Sequence, residues 1–291
     1  MGDRVLFNPL IEVKADDLYT PEVREWSLEK YKLVGSYCDI FTSGMKNKWG
    51  KLVYIDLFAG AGYAKVIEKN KIYKNSAFIA MSTPNTFAKY ILCEQDPERF
   101  NALKARVERD FNHLDVTLLH CDSNNNTRQI KQAMPVYMKG STVLSFCFVD
   151  PFSLNLKFST IKDLGDKFVD FLILQALHMD ANRNFVKYIN EQSNTISDYL
   201  GFQDWRKDFE SDGVLNNKDF VKFLSDSYQK QMNLLGYQTT KHAHPIRSSS
   251  RNLPLYYLSF FSRHLRGEEF FTKVKSRIKP QLGLDLNFDE I

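Results

Sequence analysis

The 291-residue sequence is 43% hydrophobic and 14% aromatic, enough apolar surface for one large core or two modest ones and too much for a disordered chain. Lys and Arg outnumber Asp and Glu by 39 to 35; a net charge of +4 excludes a general polycation and leaves nucleic-acid contact to a local surface. No apolar run approaches the ~18 residues of a membrane span, and no basic stretch followed by an apolar one opens the chain, so a cytoplasmic protein without a membrane partner is expected.

In chain order, residues 21–41 place Val23, Trp26, Leu28, Tyr31, Leu33 and Val34 at near-helical spacing, which predicts a long amphipathic helix packed on one face of the core. From residue 51, short β-branched runs alternate with helical ones. Strands are predicted at 51–57, 89–93, 116–120, 143–149 and 168–174, and helices at 76–81, 97–109, 127–138 and 159–164. Pro97 suits a first helical turn, and Phe100, Leu103 and Val107 share a face. Residues 181–235 read as more polar and helical. Two further strand-like runs, 236–242 and 255–262, are joined by a turn-rich segment with Pro245, Ser248, Ser249, Ser250 and Pro254. The cysteines, Cys38, Cys93, Cys121 and Cys147, form no Cys-x-x-Cys pair and read as buried free thiols.

This order predicts an α/β fold: a Rossmann-like, mostly parallel seven-stranded sheet with an antiparallel C-terminal hairpin and helices on both faces. A reversed last strand between its neighbours is the layout of class I methyltransferases, whereas the dinucleotide-binding order ends in another parallel strand. The expected organisation is a helical segment over 1–50, one Rossmann-like domain over 51–280 with a helical insertion near 181–235, and a loose acidic tail over 281–291.

The strongest local signal is Asp56-Leu57-Phe58-Ala59-Gly60-Ala61-Gly62, an apolar strand ending in an acid and breaking into two glycines. Gly60 and Gly62 allow close backbone approach to a ligand, and Asp56 suits an amino group such as that of a methionine moiety; a plain tight turn is the alternative. Lys65 stands where a nicotinamide or flavin fingerprint needs a small residue, and no Gly-Lys-Ser/Thr makes a P-loop. S-Adenosylmethionine survives this comparison best as cofactor. Glu94 ends the second strand, followed by Gln95, and suits the ribose hydroxyls. Thirty-two positions separate Gly62 from Glu94, so an insertion at 63–75 lies between them. After the third strand, His120-Cys121-Asp122-Ser123-Asn124 offers Asp122, with Ser123 beside it, to the adenine amino group, although Asx-rich loops also make ordinary turns. Asp150-Pro151-Phe152 ends the fourth strand beside the expected position of the methyl group. Asp150 is placed to orient a nucleophile or contact the methionine end, and Phe152 to stack on a flat substrate.

Asp56-Leu57-Phe58-Ala59-Gly60 resembles the opening motif of DNA cytosine methyltransferases, but the sequence lacks their Pro-Cys dipeptide. Asp150-Pro151-Phe152 resembles the Asp-Pro-Pro-Tyr/Phe motif of amino-methyltransferases with one proline missing. A closer resemblance is to the three-Cys-motif partner protein family. It is carried by Asp56-Leu57-Phe58-Ala59-Gly60, Ser76-Ala77-Phe78-Ile79-Ala80, Glu94, Asp150-Pro151-Phe152 and the late aromatic strand ending Ser262-Arg263-His264, with Ser153 where that family usually has Gly. That resemblance implies a methyltransferase-like fold and a three-Cys-motif protein partner.

Lys65, Lys69, Lys71 and Lys74 in the insertion, with Arg247, Arg251, Arg263 and Arg266 around the hairpin, are expected to form a positive rim for nucleic acid or another phosphate-bearing substrate. Tyr63 and Tyr73 would be available for stacking. A solvated lysine face is the alternative. His242 and His244 lack an evident third ligand, so no metal is expected. His178 and Asp180 form a candidate acid-base pair or a structural one. Two readings remain: an active methyltransferase, or a binding module that keeps the fold without turnover.

Overall fold

A computed structural model describes residues 7–165, 168–190, 193–211, 216–239, 243–248 and 252–278. The chain opens with two short strands, β1 (Glu12–Val13) and β2 (Glu22–Val23), and a long helix α1 (Ser27–Met45). There follow β3 (Lys51–Asp56), β4 (Tyr63–Val66), β5 (Lys71–Lys74), α2 (Ser76–Met81), β6 (Lys89–Glu94), α3 (Pro97–Asp110), β7 (Val116–His120), α4 (Thr127–Ala133), β8 (Val143–Val149), α5 (Phe158–Leu164) and β9 (Val169–Gln175). A π-helical turn, Leu177–Ala181, leads into α6 (Phe185–Asn190), α7 (Thr195–Leu200), α8 (Trp205–Ser211) and α9 (Asn217–Leu234). Last come β10 (Gln238–Thr239), β11 (His244–Arg247), β12 (Pro254–Ser262) and α10 (Leu265–Ile278).

The main sheet runs β7-β6-β3-β8-β9-β12-β10, with β11 also paired to β12. Its first five strands are parallel, β12 is antiparallel to β9, and β10 and β11 are antiparallel to β12. The reversed strand thus lies between β9 and the edge, as the sequence pattern predicts. Adjacent residues of β12 show that both faces are covered. Phe260 packs on Tyr37 of α1 and Phe271 of α10, while Phe261 packs on Tyr228 of α9.

Three boundaries depart from expectation for local reasons. The helix expected at 127–138 stops at Ala133 because Met134 precedes Pro135 and takes an extended ψ of 138°. Pro245, expected in a turn, lies in β11 opposite Tyr257, on an edge where its missing N–H costs no ladder bond. The first helix begins at Ser27 because Glu22 and Val23 instead pair with Lys65 and Val66 of the 63–75 segment. That segment is a β-hairpin, and β1-β5-β4-β2 form a second, four-stranded sheet. Leu28, Tyr31, Ala64, Val66, Tyr73 and Ile79 make its small apolar core.

The core holds two sealed carboxylates, Asp56 and Asp170, and desolvation by burial is the main cause that pushes each up to about 7. Their folded values lie above the ordinary 3.8, so the folded state holds protons that the unfolded state releases. The contribution of these two groups to stability therefore falls as pH rises from about 4 to about 7 and levels off above it. Asp170→Asn is expected to roughly halve the loss between pH 5 and pH 8, measured by urea unfolding at each pH; an unchanged loss would refute the assignment.

Candidate functional site

The chain leaves β3 for β6 and β7 on one side, then returns to β8 on the other. This reversal makes the carboxyl ends of β3 and β8 the topological switch point, where an open α/β sheet usually has its ligand crevice. The predicted residues gather there because each ends a parallel strand: Asp56 on β3, Glu94 on β6, Asp122 after β7 and Asp150 after β8.

The glycine turn is fixed from several sides. Gly60 takes φ +63° and donates its N–H to Glu94 Oε2 at 2.8 Å. Ala59 N–H donates to the carbonyl of Cys93, and Asn75 Nδ2 to that of Ala59. Gly62 takes φ +85° with its Cα against the Phe78 ring. Glu94 Oε1 accepts from Asp96 N at 2.8 Å, so each oxygen holds one backbone amide and keeps a further lone pair. Phe58 is half-buried and Gln95 exposed at the rim.

Asp56 points inward and is 0% exposed. It accepts from Tyr54 Oη at 3.0 Å, Ser76 Oγ at 2.9 Å and Phe58 N at 3.1 Å. Any hold it has on a ligand passes through the Phe58 amide and Ser76 hydroxyl that it fixes. Ser123 is likewise buried, donating to the Leu57 carbonyl at 2.7 Å. Asp122 accepts from Asn124 N and Asn125 Nδ2 in its own loop, so the Asx-turn alternative is what its side chain forms.

Asp150 stands at the β8 end of the crevice, followed by buried Pro151 and by Phe152, which is 89% exposed. The Asp150 carboxylate is bonded by the Lys30 ammonium from α1. Lys30 was missed in the sequence, although it interrupts the apolar stripe Trp26, Val34, Tyr37 and Phe41. Of the two roles the sequence allows Asp180, acid-base partner of His178 or structural, it takes the structural one: its carboxylate holds the loop after Phe152, accepting from Leu154 N, Asn184 Nδ2 and Tyr188 Oη. His178 bonds Tyr257 Oη at 3.3 Å instead, and burial lowers its pKa. The two have separate partners, so the pair does not form.

The expected basic rim is largely cancelled. Lys65 pairs with Glu22, Lys69 with Glu25 and Lys71 with Glu12, all within 3.0 Å, while Lys74 is half-buried, donating to Ser82 Oγ. Tyr63 and Tyr73 are buried, so neither offers a stacking face. Folding of β4 and β5 against the glutamate-bearing first strands is the physical reason. On the hairpin side, Arg247 donates to the Asn252 carbonyl and Arg263 to that of Leu235. Arg251 and the Arg266 side chain lie outside the described residues, as does His242; His244 bonds Glu29 at 2.7 Å.

Among solved structures, the chain is similar to the protein LPL1258 of Legionella pneumophila str. Philadelphia 1, assigned to family DUF519. The TM-score is 0.50 at 10% identity, covering 86% of this chain and 90% of that one. The order of the main sheet, with β12 reversed between β9 and β10, is the layout expected for a class I methyltransferase fold. Two further similar structures are TYW2 of M. jannaschii in complex with AdoMet (TM-score 0.39, 11% identity, 82% and 77% covered) and the O-methyltransferase of Bacillus cereus in complex with SAH (0.42, 9%, 78% and 80%). No family model and no curated protein matches this sequence, so the likeness to the three-Cys-motif partner family stands on its motifs alone. Among the described residues, no helix is long and apolar enough to cross a membrane.

Proposed function

We propose that this chain binds S-adenosylmethionine in the crevice between β3 and β8 and acts as a methyltransferase. The observation that carries the reading is the Glu94 carboxylate at the end of β6, which locks the Gly60 turn and keeps lone pairs for a vicinal diol. Asp56 supports it by fixing the Phe58 amide beside the same turn. When bound, the cofactor supplies an electrophilic methyl group. The protein's part is then to position and desolvate the acceptor, which asks little covalent chemistry of its side chains. Asp150, Pro151 and Phe152 are the residues we assign to the acceptor, with Phe152 offering an exposed flat face.

Such a face suits a nucleobase, and a nucleic-acid acceptor is retained on Phe152 rather than on the insertion's lysines. A three-Cys-motif protein partner is retained on the sequence motifs. The rival reading, a module that binds the cofactor without turnover, is favoured by the Lys30–Asp150 pair, which already occupies the carboxylate an acceptor would need.

Calorimetric titration with S-adenosylmethionine tests the reading. The wild type is expected to bind, and Glu94→Ala to bind at least tenfold more weakly, since it loses both the turn anchor and the ribose acceptor. Equal affinities would remove Glu94 from the site, and no binding to the wild type would sink the cofactor assignment. Tritiated methyl transfer into total RNA, DNA and protein then separates enzyme from module.

A further inference from the structure

Two acids flank the crevice where the strand order reverses, and they differ in availability. Asp56 is sealed beneath the turn, whereas the Asp150 side chain is 18% exposed and lies within electrostatic reach of Asp56 and Tyr31. Asp150 is therefore the more available of the two carboxylates to a ligand at the switch point. Its partner is unusual for such a place: the Lys30 side chain is only 7% exposed. The Lys30 ammonium also lies 5.6 Å from the Trp26 ring and 5.3 Å from the Tyr31 ring, and Trp26 is packed on Tyr256 at 4.8 Å. Burying an ammonium is costly unless it is paired, so the aromatic seat and the ion pair hold each other in place. Asp150 is the more exposed of the two partners, at 18% against 7%. The pair leaves this end of the crevice without net charge.

We propose that Lys30 is a specificity-determining residue: by closing Asp150 into a neutral pair, it withholds a free carboxylate from the sulfonium charge that distinguishes S-adenosylmethionine from S-adenosylhomocysteine. A site built this way takes the charged cofactor without a large electrostatic preference over the neutral product. The proposal rests on the cofactor reading above and adds to it a statement about charge. It requires that removing the ammonium frees Asp150 toward the ligand, and that removing the carboxylate leaves an unpaired ammonium there.

The test is the ratio of the two dissociation constants, measured by calorimetry with each compound on the full chain. In Lys30→Met the ratio is expected to move toward S-adenosylmethionine by about tenfold or more, because a carboxylate freed of its counter-charge attracts the cation and not the neutral product. In Asp150→Asn it is expected to move the opposite way. Lys30→Arg, which keeps the pair, should leave it near the wild-type value. Thermal melting reports whether each variant is folded, and if Lys30→Met is not, Lys30→Gln and Asp150→Asn carry the test. A ratio unmoved in folded Lys30 and Asp150 variants that still bind both compounds overturns the proposal while leaving the cofactor reading intact. A wild type that binds neither compound overturns the cofactor reading, and this inference with it.

Discussion

Arg106→Met is expected to lower the free energy of unfolding by about 3–5 kcal/mol, the scale for breaking a buried ion pair from one side. Arg106 is 0% exposed on α3, and its guanidinium grips the Asp16 carboxylate with two bonds, Nε at 2.8 Å and Nη2 at 2.6 Å. The same group donates to the carbonyls of Ala61 at 2.7 Å and Tyr19 at 3.0 Å and to Thr20 Oγ1 at 2.8 Å, and it lies over the Tyr63 ring. Methionine fills much of the volume but leaves Asp16 and the carbonyls without these donors. Arg106→Lys should recover only part of the loss, because a single ammonium cannot reproduce the fork. Urea unfolding measures both variants, and a loss under 1 kcal/mol in Arg106→Met would show the cluster to be dispensable. The hydrogen bond from Arg106 is also the main cause that holds Asp16 down at about 2. That stabilisation is present in full above about pH 4 and is lost as pH falls through 2, so the acid limb of the wild type should be shallower in the variant.

Gly62→Ala is the second large expectation, at about 2–4 kcal/mol of destabilisation from a strained backbone combined with overpacking. Gly62 has φ +85°, and a Cβ there would come within 2.5 Å of the Phe78 ring. That ring cannot retreat easily, since Tyr63 and Phe111 pack against it with centroids at 5.6 Å and 4.9 Å. Gly60→Ala makes the comparison: its φ is +63°, but the nearest obstacle is the Asn75 side-chain amide at 3.1 Å. It should therefore cost less stability while still disturbing the turn. Thermal unfolding of the two variants should rank Gly62→Ala as the weaker fold, and the reverse order would contradict this account of the turn.

Much of this architecture was legible because parallel strands buried on both faces leave continuous apolar runs, as at Val143–Val149 and Lys51–Asp56. The acids that end those runs were legible for the same reason: a charge directly after an apolar run marks the end of a strand, although Asp56 proves to be fully buried there. What escaped was set by partners distant in sequence. Lys65, Lys69 and Lys71 read as free positive charge until β1, β2 and the turn before α1 bring Glu12, Glu22 and Glu25 beside them, a pairing that no local window contains. Arg106 and Lys30 look like ordinary surface positions in composition. Their helical faces, shared with Ala102, Leu103 and Val107 in one case and with Val34 and Tyr37 in the other, were the available clue. For Asp122, the residue type was informative and the direction of its side chain was not, because an Asx turn and an adenine contact begin from the same loop.

The grip of Arg106 on both Asp16 and Ala61 joins two parts of the molecule that are far apart along the chain. The carbonyl of Ala61 belongs to the bend beneath the crevice, and Asp16 to the stretch between the first two strands of the small sheet. A substitution at Asp16 would therefore loosen the glycine bend as well as the small sheet, because one guanidinium braces both.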